Sequence, residues 1–173
     1  MAMTGNFNDI LSEPISAQDE QVLVEQLKSK LRNALSLAVD LLHAMEQRFG
    51  PEAREVVREM ALYEGVTPRL DAGDPCTDLH EFCDQLERGC VGTHRWERVV
   101  DEPGCVGYRF TRCLWAEIFR ELGEPELGWI ACASDEPGTR AYNPQMRFKR
   151  TKVLMHGDDS CDHVFYVEDE GGG

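Results

Sequence analysis

The sequence predicts an α+β domain, with N-terminal helices packed on a mainly four-stranded antiparallel sheet and a helical insert between two hairpins. Three observations predict it. Apolar residues recur at steps of three and four as far as about residue 90, the spacing of amphipathic helices. From Thr93 the spacing changes to two, the spacing of strands. Turn sequences then close two hairpins, with no alternation of strand and helix that would build a parallel sheet.

Residues 1–16 are polar and contain Pro14, which suggests a flexible arm. A single domain follows over 17–167, its helical part spanning 17–90 and its hairpin–helix–hairpin part 93–167. The first helix is expected from Ala17 to Phe49, capped by Ser16. Its apolar stripe reads Val24, Leu27, Leu31, Ala34, Leu35, Ala38, Leu41, Leu42, Met45 and Phe49. Gly50 ends it and Pro51 starts a second helix, which runs to about Glu64 and turns Val56, Val57, Met60 and Ala61 inward. Asp74-Pro75 predicts the opening of a third helix reaching about Arg88, buried through Cys76, Leu79, Phe82, Cys83 and Leu86.

Thr93–Val100 and Cys105–Arg112 read as strands joined through Asp101-Glu102-Pro103-Gly104. A helix begins after Cys113 and closes at Gly123, and a shorter one spans Glu126 to about Ala133 after Pro125. A loop is expected through Pro137, Gly138, Asn143 and Pro144. Two strands, about Met146–Met155 and Cys161–Val167, form the second hairpin, and residues 168–173 are an acidic, glycine-ended tail expected to be disordered.

A net charge of −14 argues against nucleic-acid binding, which needs a basic surface. No apolar run approaches the roughly 20 residues that cross a bilayer, so no membrane partner is expected. Seven cysteines with no export signal at the N-terminus suggest a reducing, cytoplasmic setting with free or metal-bound thiols. Homo-oligomerisation, if it occurs, is expected through the long first helix, whose apolar stripe exceeds one core's needs.

The chemistry concentrates between Tyr108 and Cys161, where Cys113, Cys132 and Cys161 lie among Glu117, Asp135, Asn143, Thr151, Asp158 and Asp162. Cys113 and Glu117 are four apart and share one face if both are helical. A thiol at a helix N-terminus is expected to be acidified by the free N–H groups. Cys161 and His163 are two apart on a strand and share a face, with Asp162 on the other. Three readings stay open from spacing alone. One thiolate is a nucleophile, with His163, His156 or a carboxylate handling protons. Alternatively Cys113, Cys132 and Cys161, with Glu117 or a histidine, hold a zinc ion. In the third, the cysteines simply fill the core. Core filling is the reading preferred for Cys76, Cys83 and Cys90, since residues seven apart on a helix are about 10 Å apart along its axis. His43 and His80 are read as helix-surface or core residues.

Several segments together carry a resemblance. They are Arg112–Phe119, Gly123–Gly128, Cys132 with Asp135, Asn143-Pro144, Arg150–Lys152 and Gly157–Asp162. In spacing and content this C-terminal third resembles the L-2-amino-thiazoline-4-carboxylic acid hydrolase family. Leu114-Trp115 stands where Pro-Tyr is expected and His163 where an aromatic residue is expected, so the pocket differs beside Cys113. The resemblance implies a small-molecule hydrolase that opens a sulfur–nitrogen ring at its amidine carbon and yields an N-carbamoyl-cysteine type product. It implies Cys113 as nucleophile or ligand, Glu117 as proton carrier and Cys161 as second thiol beside His163. Asp135 and Asp162 would meet the amino group, and Arg112 or Arg150 the carboxylate. Trp115, Asn143 and Asp158 complete the expected substrate contacts, with zinc the cofactor if one is used. A non-catalytic, sensor-like ligand-binding domain using the same cysteines is the other reading.

Overall fold

The computed structural model describes residues 4–62 and 78–168 of the chain. The helices are α1 (Ala17–Phe49), α2 (Glu52–Leu62), α3 (Leu79–Cys90), α4 (Leu114–Glu121), α5 (Pro125–Ala133) and α6 (Asp135–Tyr142). The strands are β1 (His94–Glu102), β2 (Cys105–Cys113), β3 (Met146–Lys149) and β4 (Cys161–Val167). They form one antiparallel sheet in the order β1-β2-β4-β3, so the expected α+β architecture with two hairpins is present. The expected Asp74-Pro75 helix start, Cys76, the end of α2 and the glycine tail lie outside the described residues.

Local signals account for several boundaries. The Ser16 hydroxyl accepts the Asp19 N–H at 3.1 Å and caps α1. Gly50 ends α1 at φ 95°, a left-handed value that a side chain would strain. Pro125 opens α5 at its first turn. The cap of α3 is Asp78, whose carboxylate accepts the N–H groups of His80 and Glu81. The N-terminal segment makes contacts with the domain through its first described residues. Thr4 bridges to Trp96, Gly5 accepts the Gly92 N–H, and Phe7 donates to Glu20.

One face of the sheet carries the core. Trp96, Val106, Tyr108, Phe110, Phe165 and Met146 pack with Phe82 and Cys83 of α3, Phe119 of α4 and Leu127 and Ile130 of α5. Cys83 and Cys90 are buried there, as the core-filling reading expects. α3 packs on the sheet, whereas α1 and α2 pack on each other, α1 also on α4 and α2 also on α5. The stripes expected on the first two helices need correcting. Val24, Val39 and Leu42 are the buried residues of α1, while Leu41 and Phe49 are exposed. On α2, Ala53 is buried while Val56 and Met60 are exposed. An apolar period marks a helix, but its face depends on which neighbour the helix meets.

Two differences in the C-terminal half position the site. The loop expected through Pro137 and Gly138 is instead helix α6, which follows α5 after Ser134 alone. Pro137 sits in its first turn, where a missing N–H costs nothing, and the Thr139 hydroxyl binds the Asp135 carbonyl at 2.7 Å. The strand expected to reach Met155 stops at Lys149, and Leu154–His156 form a short 3₁₀ turn. Side chains satisfy the backbone there in place of a strand partner. Asp162 accepts the N–H groups of Thr151 and Lys152, Asp158 that of Val153, and the Cys161 sulfur that of Leu154.

Candidate functional site

A β-bulge starts the site. Arg95 pairs with Arg112 but Trp96 pairs with Phe110, so Thr111 is an extra residue in β2. Strict alternation from buried Phe110 would turn Cys113 outward. The bulge brings it back, opposite His94 and against the core. Along the same face, Phe110 lies between two imidazoles, with ring centroids 5.6 Å from His94 and 4.7 Å from His163.

Arg150 lies at the centre. Its side chain is 7% exposed, and its Nη1 donates to Asp135 Oδ2 at 2.6 Å while Nη2 donates to the Cys132 carbonyl at 3.0 Å. Nη1 also lies 3.4 Å from His163 Nε2, and because arginine only donates, that nitrogen presents its lone pair. The guanidinium is sandwiched between Trp129, at 5.1 Å, and Phe148, at 5.2 Å. A cavity of about 270 Å³ opens beside it, lined by Trp129, Cys132, Ala133, Glu136, Phe148 and Arg150.

Burial sets the protonation states around this arginine. It pushes the Cys113 thiol up to about 11, although the N–H groups of Trp115 and Ala116 pull the other way without forming a cap hydrogen bond. Cys132 is pushed up to about 12 and Cys161 is also raised, both by burial first. The acidified thiol expected at the α4 N-terminus is therefore corrected. Loss of water disfavours the thiolate more than the helix end favours it. His163 is lowered to about 3, by burial and then by Arg150, and His94 to about 4 by burial, so both imidazoles are neutral at pH 7.

Asp135 behaves differently. Desolvation raises its carboxyl to about 6 against the pull of Arg150. Its side chain nevertheless keeps 38% of its surface accessible, so water reaches it despite the protein around it.

The other expected residues are placed elsewhere. Glu117 does not turn to Cys113. Cys113 is in extended conformation as the cap of α4, where the four-residue helical spacing has no force. Glu117 instead accepts from Arg112 Nε at 2.7 Å and from Lys28 at 3.2 Å. Arg112 thus faces α1, beside a second cavity lined also by Glu20, Glu25 and Arg95. Trp115 is 37% exposed on α4. Asn143 caps the end of α6 and accepts the Gln145 N–H, while His156 stacks on Trp129 at 4.4 Å. His43 pairs with Glu124 and His80 with Asp101 at the helix surface.

Asp158 and Asp162 hold the backbone between β3 and β4. Burial opposes the Asp162 charge, but hydrogen bonds from Thr151 and Lys152 outweigh it and hold the carboxyl below its usual range. Asp162→Ala is expected to cost about 2 kcal/mol in chemical denaturation, because two N–H groups and a hydroxyl lose a charged acceptor. The stabilisation is present above the unfolded pKa and is lost as pH falls through the lower folded value. A variant that is as stable as the parent would show that this carboxylate is not structural.

Among the described residues no three His, Cys, Asp or Glu side chains are grouped to hold one metal ion. Cys113, Cys132 and Cys161 share a neighbourhood but not, as placed, a ligand set. His94, Trp129, Glu136 and Phe148 carry no signal in the sequence that marks them as site residues. Only the pairing of distant segments brings them to the cysteines and Arg150.

No curated protein matches this chain. Among solved structures, the crystal structure of the phenol-responsive sensory domain of the transcription activator PoxR with phenol aligns with 74% of this chain and 71% of that chain. The identity is 13% and the TM-score 0.34. The family model for L-2-amino-thiazoline-4-carboxylic acid hydrolase matches residues 29–165. That is most of the chain, well beyond the C-terminal third, and includes most of α1 and all the site segments. The chain belongs to the L-2-amino-thiazoline-4-carboxylic acid hydrolase family.

Proposed function

We propose that the cavity beside Arg150 is the active site of a hydrolase that opens a thiazoline or related cyclic amidine carrying a carboxylate. The family name implies hydrolysis of a small molecule. The observation that carries the finer reading is Arg150 itself, a nearly buried guanidinium fixed by Asp135 and the Cys132 carbonyl and flanked by two aromatic rings at a cavity wall. A cation held this way suits a carboxylate ligand, and Trp129 and Phe148 suit a flat ring.

Asp135 is the acid–base group in this reading, since it holds Arg150 of the cavity wall at 2.6 Å, keeps 38% of its side-chain surface accessible and has its carboxyl raised towards neutral pH. Water attacks the amidinium carbon between nitrogen and sulfur and gives one proton to Asp135, while the ring nitrogen already carries its own proton. The carbon–sulfur bond then breaks as the tetrahedral hydroxyl becomes the urea carbonyl; Asp135 returns its proton to the leaving sulfur and the hydroxyl proton leaves to solvent. The ring gains one water and becomes an N-carbamoyl-cysteine type thiol. Water is favoured over Cys113 as nucleophile, because a thiol near 11 is almost wholly protonated at neutral pH. Cys132 lines the cavity as a neutral thiol and Cys161 is anchored by the Leu154 N–H.

The test is incubation of the purified full-length protein with L-2-amino-thiazoline-4-carboxylate, followed by mass spectrometry and zinc analysis. A product heavier by one water supports the reading. Binding without turnover supports the sensor-like reading instead, and no binding removes the cavity from consideration. Product formation that requires stoichiometric zinc would overturn the metal-free proton path.

A further inference from the structure

A second charged side chain, a carboxylate, lines the cavity that holds Arg150. Glu136 and Arg150 both line the 270 Å³ space, one from the first turn of α6 and the other from just beyond β3. Their surroundings differ. Arg150 is 7% exposed and held by Asp135 at 2.6 Å. Glu136 is 44% exposed and meets Arg140 one helical turn away at 3.5 Å, the long limit of a hydrogen bond. Arg150 thus brings to the cavity a guanidinium with N–H groups beyond those bound to Asp135 and the Cys132 carbonyl, whereas Glu136 brings a more exposed carboxylate with a loosely held partner.

That asymmetry has a consequence for ligands. A simple anion seated on Arg150 is repelled by Glu136. A molecule with a carboxylate at one end and a cation at the other is attracted at both. An amino-thiazoline is a cyclic isothiourea, which carries an amidinium cation at neutral pH, so its carboxylate is the zwitterionic case. We infer that Glu136 is a specificity-determining residue that binds the cationic end of a zwitterionic heterocycle and rejects carboxylates without that cation. The inference rests on the reading of the cavity as the active site. Selectivity then comes from repulsion of the wrong ligand as much as from attraction of the right one.

Glu136→Gln keeps the shape and removes the charge at an exposed helix position, so the thermal melt should match the parent. Calorimetric titrations would compare L-2-amino-thiazoline-4-carboxylate with thiazole-4-carboxylate, which has the acid and the flat ring but no amidinium. In Glu136→Gln the zwitterion is expected to bind about tenfold more weakly and the simple acid as well as before or better. Glu136→Asp should recover most of the zwitterion affinity. The parent's preference should shrink as salt is added, because a rim charge is screened. If turnover occurs, KM should rise with kcat little changed. An unchanged zwitterion affinity, or equal loss for both ligands, overturns the inference while parent binding of both leaves the cavity reading intact. Failure of the parent to bind either ligand overturns both.

Discussion

Arg150→Ala is expected to lower kcat/KM about a hundredfold, chiefly through KM, because the ligand carboxylate loses its anchor. The same change should destabilise the fold by about 2 kcal/mol, less than the roughly 3–5 kcal/mol of a fully buried charge pair, since part-exposed Asp135 regains some water. The guanidinium binds a carboxylate and a carbonyl and fills the gap between Trp129 and Phe148, so its removal loosens α5, α6 and β3 together. Arg150→Lys separates the two effects. Lysine keeps the charge but has no planar fork and stacks poorly, so it should recover more stability than affinity. Steady-state kinetics with a denaturant titration of both variants checks this. A fully active Arg150→Ala protein would place the substrate elsewhere, with Arg112 and its own cavity the next candidate.

Asp135→Asn is expected to reduce kcat by about a hundredfold or more while the protein still binds ligand, because an amide cannot exchange the proton. In the parent, activity should rise as pH increases through about 6, where the Asp135 carboxyl ionises and becomes a base. That limb should vanish in Asp135→Asn. In Arg150→Ala it should move to higher pH, because Arg150 normally favours the ionised form. The stability effect of the raised carboxyl has the opposite sign to that of Asp162. Between the unfolded value of 3.8 and the folded value of about 6, the folded state holds the proton more tightly. The Asp135 contribution therefore falls as pH rises across that window. A rate profile without a limb near 6, or one that Asp135→Asn leaves unchanged, would remove Asp135 from the proton path.

Legibility in the sequence varied with how local each cause is. The first helix cap, the Pro103-Gly104 hairpin and the proline start of α5 follow from a few adjacent residues, and the structure has them. The period-two run of β3 was overextended because Val153, Leu154 and Met155 continue the apolar pattern. They are buried from a turn, held by Asp158 and Cys161 rather than by a strand. Helix α6 is not legible in the sequence because Pro137 and Gly138 are loop signals in the interior of a segment but cost little in a first turn. The Cys113–Glu117 pair failed for a related reason, since the helical spacing was applied to a residue that lies just outside the helix.

The sequence by itself determined the α+β class, the two hairpins and the family. These depend on local periodicity, turn chemistry and motif spacing. Only the tertiary structure decided which side chains remain available for chemistry. The bulge at Thr111 turns Cys113 inward, where burial keeps it protonated. Loop backbone takes up Asp158 and Asp162, and Lys28 and Arg112 take up Glu117. Arg150 reaches the centre of the site because α5, α6 and β3 meet there. Charge, direction and pKa come from neighbours distant along the chain, and residue type or spacing alone does not specify those neighbours.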